Sequence, residues 1–213
     1  MARKQTTTMS VPGQGNLRKR RTKAPTMTGA GDSTVIRYST LGSTLETGAG
    51  VSAAATLRLY VPGNSTSIAN GVGPDIVNFY STGVFRPGTS IRWEPSVSFT
   101  QSGRVYCGFT DNPEAATVYN AFSTNQRLAF IKGLGSMRSF PIWQETTIPF
   151  PTGTRRKKFD TNADINFESV DQLDRSMQTA FVYAVEGVAA STTFGSFWYH
   201  DVVDVEGVQP VSV

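Results

Sequence analysis

Between residues 83 and 115 the hydrophobic and polar positions of the chain (GVFRPGTSIRWEPSVSFTQSGRVYCGFTDNPEA) spell two strands, a polar connection between them, and a turn that opens a short helix. In the second arm Val105, Cys107 and Phe109 share one face, while Arg104, Tyr106 and Gly108 share the other. A repeat of two is the mark of a strand buried on one side. The first arm carries Ile91 and Trp93 and ends at Glu94-Pro95. The two arms are expected to lie together as a buried pair on which the other elements pack.

The same patterning places the remaining elements. Thr34 to Leu41 is β-branched and partly alternating, hence a strand, and Gly-Ala-Gly at 48 to 50 interrupts the chain after it. Residues 55 to 61 alternate with Ala55, Leu57, Leu59 and Val61 on one side, and Pro62-Gly63-Asn64 ends them. Pro74 to Tyr80 fits one or two helical turns, since proline is favourable at a first helical position. Asp111 to Glu114 reads as a helix start, with short helices over Ala115 to Phe122 and Asn125 to Lys132. The prolines at 141, 149 and 151 confine their stretch to a sheet edge or corner. Asp160 to Asp174 is a polar loop, and Gln178 to Glu186 and Phe194 to Glu206 are strong strands.

About eight strands with two small helical insertions result, without long helices between strands and without a repeat of 20 to 50 residues. The expected fold is all-β: an eight-stranded antiparallel jelly-roll sandwich with short helical insertions and a basic disordered N-terminal arm. The 213-residue length suits one such core, and a charged fraction of only 17% with 20 glycines agrees with many short strands and turns. No apolar run is long enough for a helical membrane span, and no apolar stretch follows the N-terminal charges as a secretory leader requires.

Charge divides the chain into two regions. No acidic residue precedes Asp32, whereas Arg3, Lys4, Arg18, Lys19, Arg20, Arg21 and Lys23 do. Removing these seven of the 20 Lys and Arg leaves 13 against 16 Asp and Glu, a mildly acidic body. The expected division is a basic arm over 1–32 and a folded domain over 33–213. A segment so poor in apolar residues cannot fold alone. A tethered polycation binds a polyanion by releasing its condensed counterions. Nucleic acid is the first candidate, ahead of a nuclear-localisation patch or an anionic membrane surface. Arg155, Arg156, Lys157 and Lys158 form a second basic run, either a further phosphate contact or a solvated loop.

Signals for catalysis are few. His200 is the one histidine, and nucleophile triads or zinc sites need more than it can supply. No phosphate-cradling or nucleophile-elbow glycine motif is present. Cys107, the single cysteine, falls on the inward face of its strand and reads as an inert core thiol. Asp111, Asn112 and Glu114 group hard oxygen ligands suited to Ca²⁺, especially if a neighbouring subunit completes the shell. The same residues also suit a helix N-terminus, with Asp111 or Asn112 as the cap and Glu114 favoured by the dipole. An enzyme is not expected. Among binding functions, a carbohydrate-binding sandwich would place Trp143 or Trp198 in a groove, and a nucleic-acid binder that forms no shell would need exposed stacking aromatics.

A basic arm before one eight-stranded sandwich resembles the coat proteins of small icosahedral viruses, in particular the shell domain of the tombusvirus and sobemovirus type. Val84-Phe85-Arg86 through Ile91-Arg92-Trp93-Glu94-Pro95 is similar to the family's strand ending in an aromatic-acid-Pro step. Gly103 to Phe109 is similar to the strand that follows it, and Thr193 to Tyr199 to the final strand. Asp111-x-x-Glu114 falls where many members carry a D-x-x-D calcium pair, with Glu in place of the second Asp. The resemblance covers roughly Ser33 to Gln209, and the projecting domain of some tombusviruses is not expected after it. It implies a self-assembling icosahedral shell that packages the viral genome through the arm, with Ca²⁺ at subunit interfaces. RNA is the first expectation for that genome and single-stranded DNA the second. It also implies residence in the virion, with assembly in the host cytoplasm or nucleus.

Overall fold

The computed structural model describes residues 26–28, 33–54, 58–60, 80–151, 159–160, 175 and 177–208. Within them two antiparallel sheets face each other. The first contains β1 (Thr26–Thr28), β2 (Ser33–Glu46), β12 (Thr193–Val208), β5 (Tyr80–Phe85), β6 (Ser90–Pro95), β9 (Thr146–Pro149) and β10 (Phe159–Asp160). The second contains β3 (Ser52–Ala54), β4 (Arg58–Tyr60), β11 (Thr179–Glu186), β7 (Arg104–Thr110) and β8 (Arg138–Pro141). Two helices, α1 (Pro113–Tyr119) and α2 (Thr124–Gly133), lie between β7 and β8 in the chain.

Several segments are pieces of one longer strand. β12 pairs with β6 from Gly195 to His200 and with β5 from Val203 to Val208, so β5 and β6 follow one another along the same partner. β3 and β4 share β11 in the same way, and β9 and β10 run along β6 and β5. Joined thus, the segments give β2–β12–β5/β6–β9/β10 facing β3/β4–β11–β7–β8, four strands against four, with the short β1 added outside β2. This is the expected eight-stranded jelly roll. β8 and β9 each have one strand partner and carry Pro141 and Pro149, so the prolines do mark edges.

Four expectations change. The arms that read as a buried pair are β6 and β7, and they belong to different sheets. Their inward residues Ile91, Trp93, Val105 and Cys107 are fully buried in one core, so they share an interior without sharing a ladder. The cause is long range: β6 has β12 and β9 as partners, and β7 has β11 and β8. The second change concerns β4, where Arg58 and Tyr60, on the other parity from the expected apolar side, are buried. On the outer side of the sheet, Val182 and Ala184 of β11 lie under α1 and α2, packed with Tyr119, Leu128 and Ile131. Both faces of this sheet are therefore buried. For the same reason β11 is continuously apolar from Ala180 to Val185 (AFVYAV), with Phe181, Tyr183 and Val185 on the inter-sheet side.

Third, Thr26–Thr28, placed with the arm by composition, pairs with Val35 to Arg37 of β2. Fourth, the expected first strand over 34–41 extends to Glu46 through register shifts against β12. The helix expected from Pro74 falls outside the described residues up to 79, and Tyr80 opens a strand. Most of the acidic stretch from 160 to 174 also lies outside them.

Candidate functional site

The expected oxygen ligands sit where β7 passes into α1. Pro113 fixes the first helical position, and Asn112 stays extended before it (φ −85°, ψ 110°). The Glu114 N–H donates to Asn112 Oδ1 at 3.0 Å, so Asn112 is the helix cap and Glu114 occupies the acidic first turn. Thr110 Oγ1 accepts from the Asn112 N–H at 3.3 Å and steadies the approach. Asp111, Asn112 and Glu114 are all exposed. Their donors are oxygens only, as Ca²⁺ requires, but Ca²⁺ takes about six to eight of them. One of these three side chains already serves the cap, and no group of three or more His, Cys, Asp or Glu converges among the described residues. The donor set fits part of a coordination shell and requires oxygens from elsewhere.

Arg3, Lys4, Arg18, Lys19, Arg20, Arg21 and Lys23 lie outside the described residues, as do Arg155, Arg156, Lys157 and Lys158. In the chain the second run falls between β9 and β10.

Other residues singled out in the sequence are placed directly. Cys107 is fully buried, and burial pushes its thiol up to about 12, so it is an inert core group as expected. His200 lies on the outer face of the first sheet, half-buried, with Nδ1 2.7 Å from Ser39 Oγ. Trp198 is half-buried on that face, while Trp143 occupies the turn between β8 and β9. A shallow cleft of about 270 Å³ is lined by Ser33, Thr82, Gly83, Val84, Arg86, Asp204 and Glu206. Arg86 and Asp204 form an ion pair within it.

The pattern missed a charge pair inside the sandwich. Arg58 Nη2 donates to Asp201 Oδ2 at 2.6 Å, joining β4 in one sheet to β12 in the other. The guanidinium lies 3.5 Å from the Tyr199 ring centre and 4.5 Å from that of Tyr60. Burial raises the Asp201 carboxyl above its usual range, against the pull of the Arg58 charge. Burial also opposes the Arg58 charge, but Asp201 and the surrounding tyrosines outweigh it and keep the guanidinium protonated. The Tyr199 ring in turn rests on Gly42, where a Cβ would come within 1.9 Å of it. Local sequence carried no signal for a pair 143 residues apart.

No family model matches the chain, and no curated protein matches it. Solved structures do. The tobacco necrosis virus protein aligns over 89% of this chain and 90% of its own length, with TM-score 0.68 and 15% identity. The melon necrotic spot virus protein aligns over 99% of this chain at TM-score 0.70 and 15% identity, and this chain spans 62% of its length. A semi-empty virus-like particle of the nodavirus of the giant freshwater prawn Macrobrachium rosenbergii gives 96% and 95% coverage, TM-score 0.65 and 15% identity. The chain has the jelly-roll fold of icosahedral virus capsid shells, those of the tombusvirus type included.

Proposed function

We propose that the chain is a capsid protein that assembles into a small icosahedral shell and acts by assembly, not catalysis. The observation that carries this reading is the four-against-four sheet topology, shared with virus shells over nearly the whole chain. The folded domain over 33–213 tiles the shell through repeated edge and loop contacts. The basic part of the arm, residues 3–23 ahead of β1, faces the packaged genome, and its seven cations neutralise phosphates without reading sequence. The genome proposed is RNA, with Arg155 to Lys158 as a further phosphate contact, and the protein resides in the virion. Asp111 and Glu114, with Asn112 contributing alongside its capping role, supply part of a Ca²⁺ shell that a neighbouring subunit completes.

Packaging is tested by deleting residues 1–25, which spares β1 and its pairing with β2. The expected result is loss of co-purifying nucleic acid. Unchanged nucleic-acid content would remove the arm from that role.

A further inference from the structure

Six polar side-chain atoms without a hydrogen-bond partner among the described residues gather between the two sheets. They are Arg58 Nε and Nη1, Asp201 Oδ1, and the hydroxyls of Tyr38, Thr40 and Tyr60. Only two other buried atoms of this kind, Arg92 Nε and Tyr119 OH, occur among the described residues. Native interiors leave few polar groups unbonded, so six in one place call for a ligand.

Register brings them together. Tyr38 is the ladder partner of Asp201, and Thr40 that of Tyr199, on the inward side of the first sheet. Arg58 and Tyr60 approach from β4 opposite, with the guanidinium over both the Tyr60 and the Tyr199 rings. Burial opposes the Arg58 charge, whereas Asp201, Tyr60, Tyr199 and Tyr38 all favour it, so these groups surround one cation. The five residues that own the six atoms are each more than nine-tenths buried.

The ion pair itself leaves bonding capacity over. A guanidinium and a carboxylate can join through two parallel hydrogen bonds. Here the contact runs from Nη2 to Oδ2, and Nε, Nη1 and Oδ1 remain for other partners. What those partners are follows from the chemistry of the atoms. Nε and Nη1 only donate, the ionised Oδ1 only accepts, and the three hydroxyls do both. The ligand must therefore accept from a guanidinium and donate to a carboxylate. It must also be neutral, because Arg58 and Asp201 already cancel and an added ion would be a buried charge without a counter-charge.

We propose that this is a built site for internal water, in which ordered water molecules bridge Arg58 to Asp201 Oδ1 and bond the tyrosine hydroxyls. Water completes the hydrogen bonds that the protein leaves open, and so lets the pair stay ionised between the sheets. The inference concerns the single subunit and holds whether or not the chain forms a shell.

Removing a hydroxyl separates a hydrated site from a dry one by sign. A hydroxyl bonded to water contributes to stability, whereas a buried hydroxyl without a partner lowers it. Tyr38→Phe and Tyr60→Phe should each raise the unfolding equilibrium constant about fivefold, read from urea titration of the dissociated full-length chain. No change, or greater stability, in either variant would overturn the inference. A structure of the full-length protein at a resolution that shows water should hold water peaks about 3 Å from Arg58 Nε and Asp201 Oδ1. Protein groups in direct contact with those atoms, no density beside them, or a peak with the strength of a bound anion would overturn it as well.

Discussion

Arg58 and Asp201 meet at 2.6 Å between the two sheets, each almost wholly removed from solvent. Arg58 Nε and Nη1 and Asp201 Oδ1 find no hydrogen-bond partner among the described residues, nor do the hydroxyls of Tyr38, Thr40 and Tyr60. The pair is therefore costly to bury and more costly to break. Asp201→Ala should destabilise the subunit by about 3–5 kcal/mol, because it strands the guanidinium. Arg58→Met combined with Asp201→Leu should recover that loss and add up to about 4 kcal/mol. Urea midpoints of dissociated subunits decide the matter; a double variant as unstable as Asp201→Ala would contradict it.

At Gly42 the question is steric. An alanine Cβ would overlap the Tyr199 ring, which is already held over Arg58. Gly42→Ala should cost about 1–3 kcal/mol and lower the melting temperature. An unchanged melt would mean that the ring moves aside freely.

Cys107 makes stability sensitive to alkali. Its thiol ionises near 9.0 when unperturbed, and burial pushes it up to about 12 in the fold. Between those values the unfolded chain has released a proton that the native chain keeps. Stability is fully present below about 9 and falls as pH rises through the window, by up to about 1.4 kcal/mol per pH unit for one group. Tyr38 and Tyr199, both raised by burial above their usual 10.0, add to the fall at higher pH. Urea midpoints from pH 8 to 11 should decline, and Cys107→Ala should flatten the slope by one proton's worth. An identical slope in the variant would show that the thiol is not the group responsible.

What the sequence disclosed depended on how local the cause was. β7, β11 and β12 announce themselves through apolar patterning, and the edge role of β8 and β9 through Pro141 and Pro149. The pairing of β6 was hidden because its partners lie at 146–149 and 195–200, far along the chain. The inward position of Arg58 was hidden because helices cover the outer face of its sheet, so polar and apolar positions no longer separate inside from outside. A signal was available for α2: Ser123 and Gln126 form a capping box, and the S-x-x-Q spacing is visible in the residues. In the candidate calcium cluster, the structure assigned the cap to Asn112 over Asp111.

The cap and the calcium role of that cluster separate by experiment. Asn112→Ala should cost about 1 kcal/mol of subunit stability, with Asn112→Asp close to wild type. If Asp111 and Glu114 hold Ca²⁺ between subunits, chelation should swell or loosen particles at neutral pH, and Asp111→Ala should do so without chelator. Particles indifferent to both treatments would leave the cluster with its helix-capping role alone.

The arm should bind nucleic acid with a steep dependence on salt. Seven cations engaging single-stranded RNA imply a slope of log K against log salt of about −5, and removal of residues 1–25 should abolish most of it. A slope unaffected by the deletion would move the binding surface to the folded domain.

The most direct measurement is the assembly state of the purified full-length chain, by sedimentation at low and moderate salt with electron microscopy of the fast fraction. The account predicts closed, uniform, spherical particles. Small soluble oligomers at every salt concentration would contradict it.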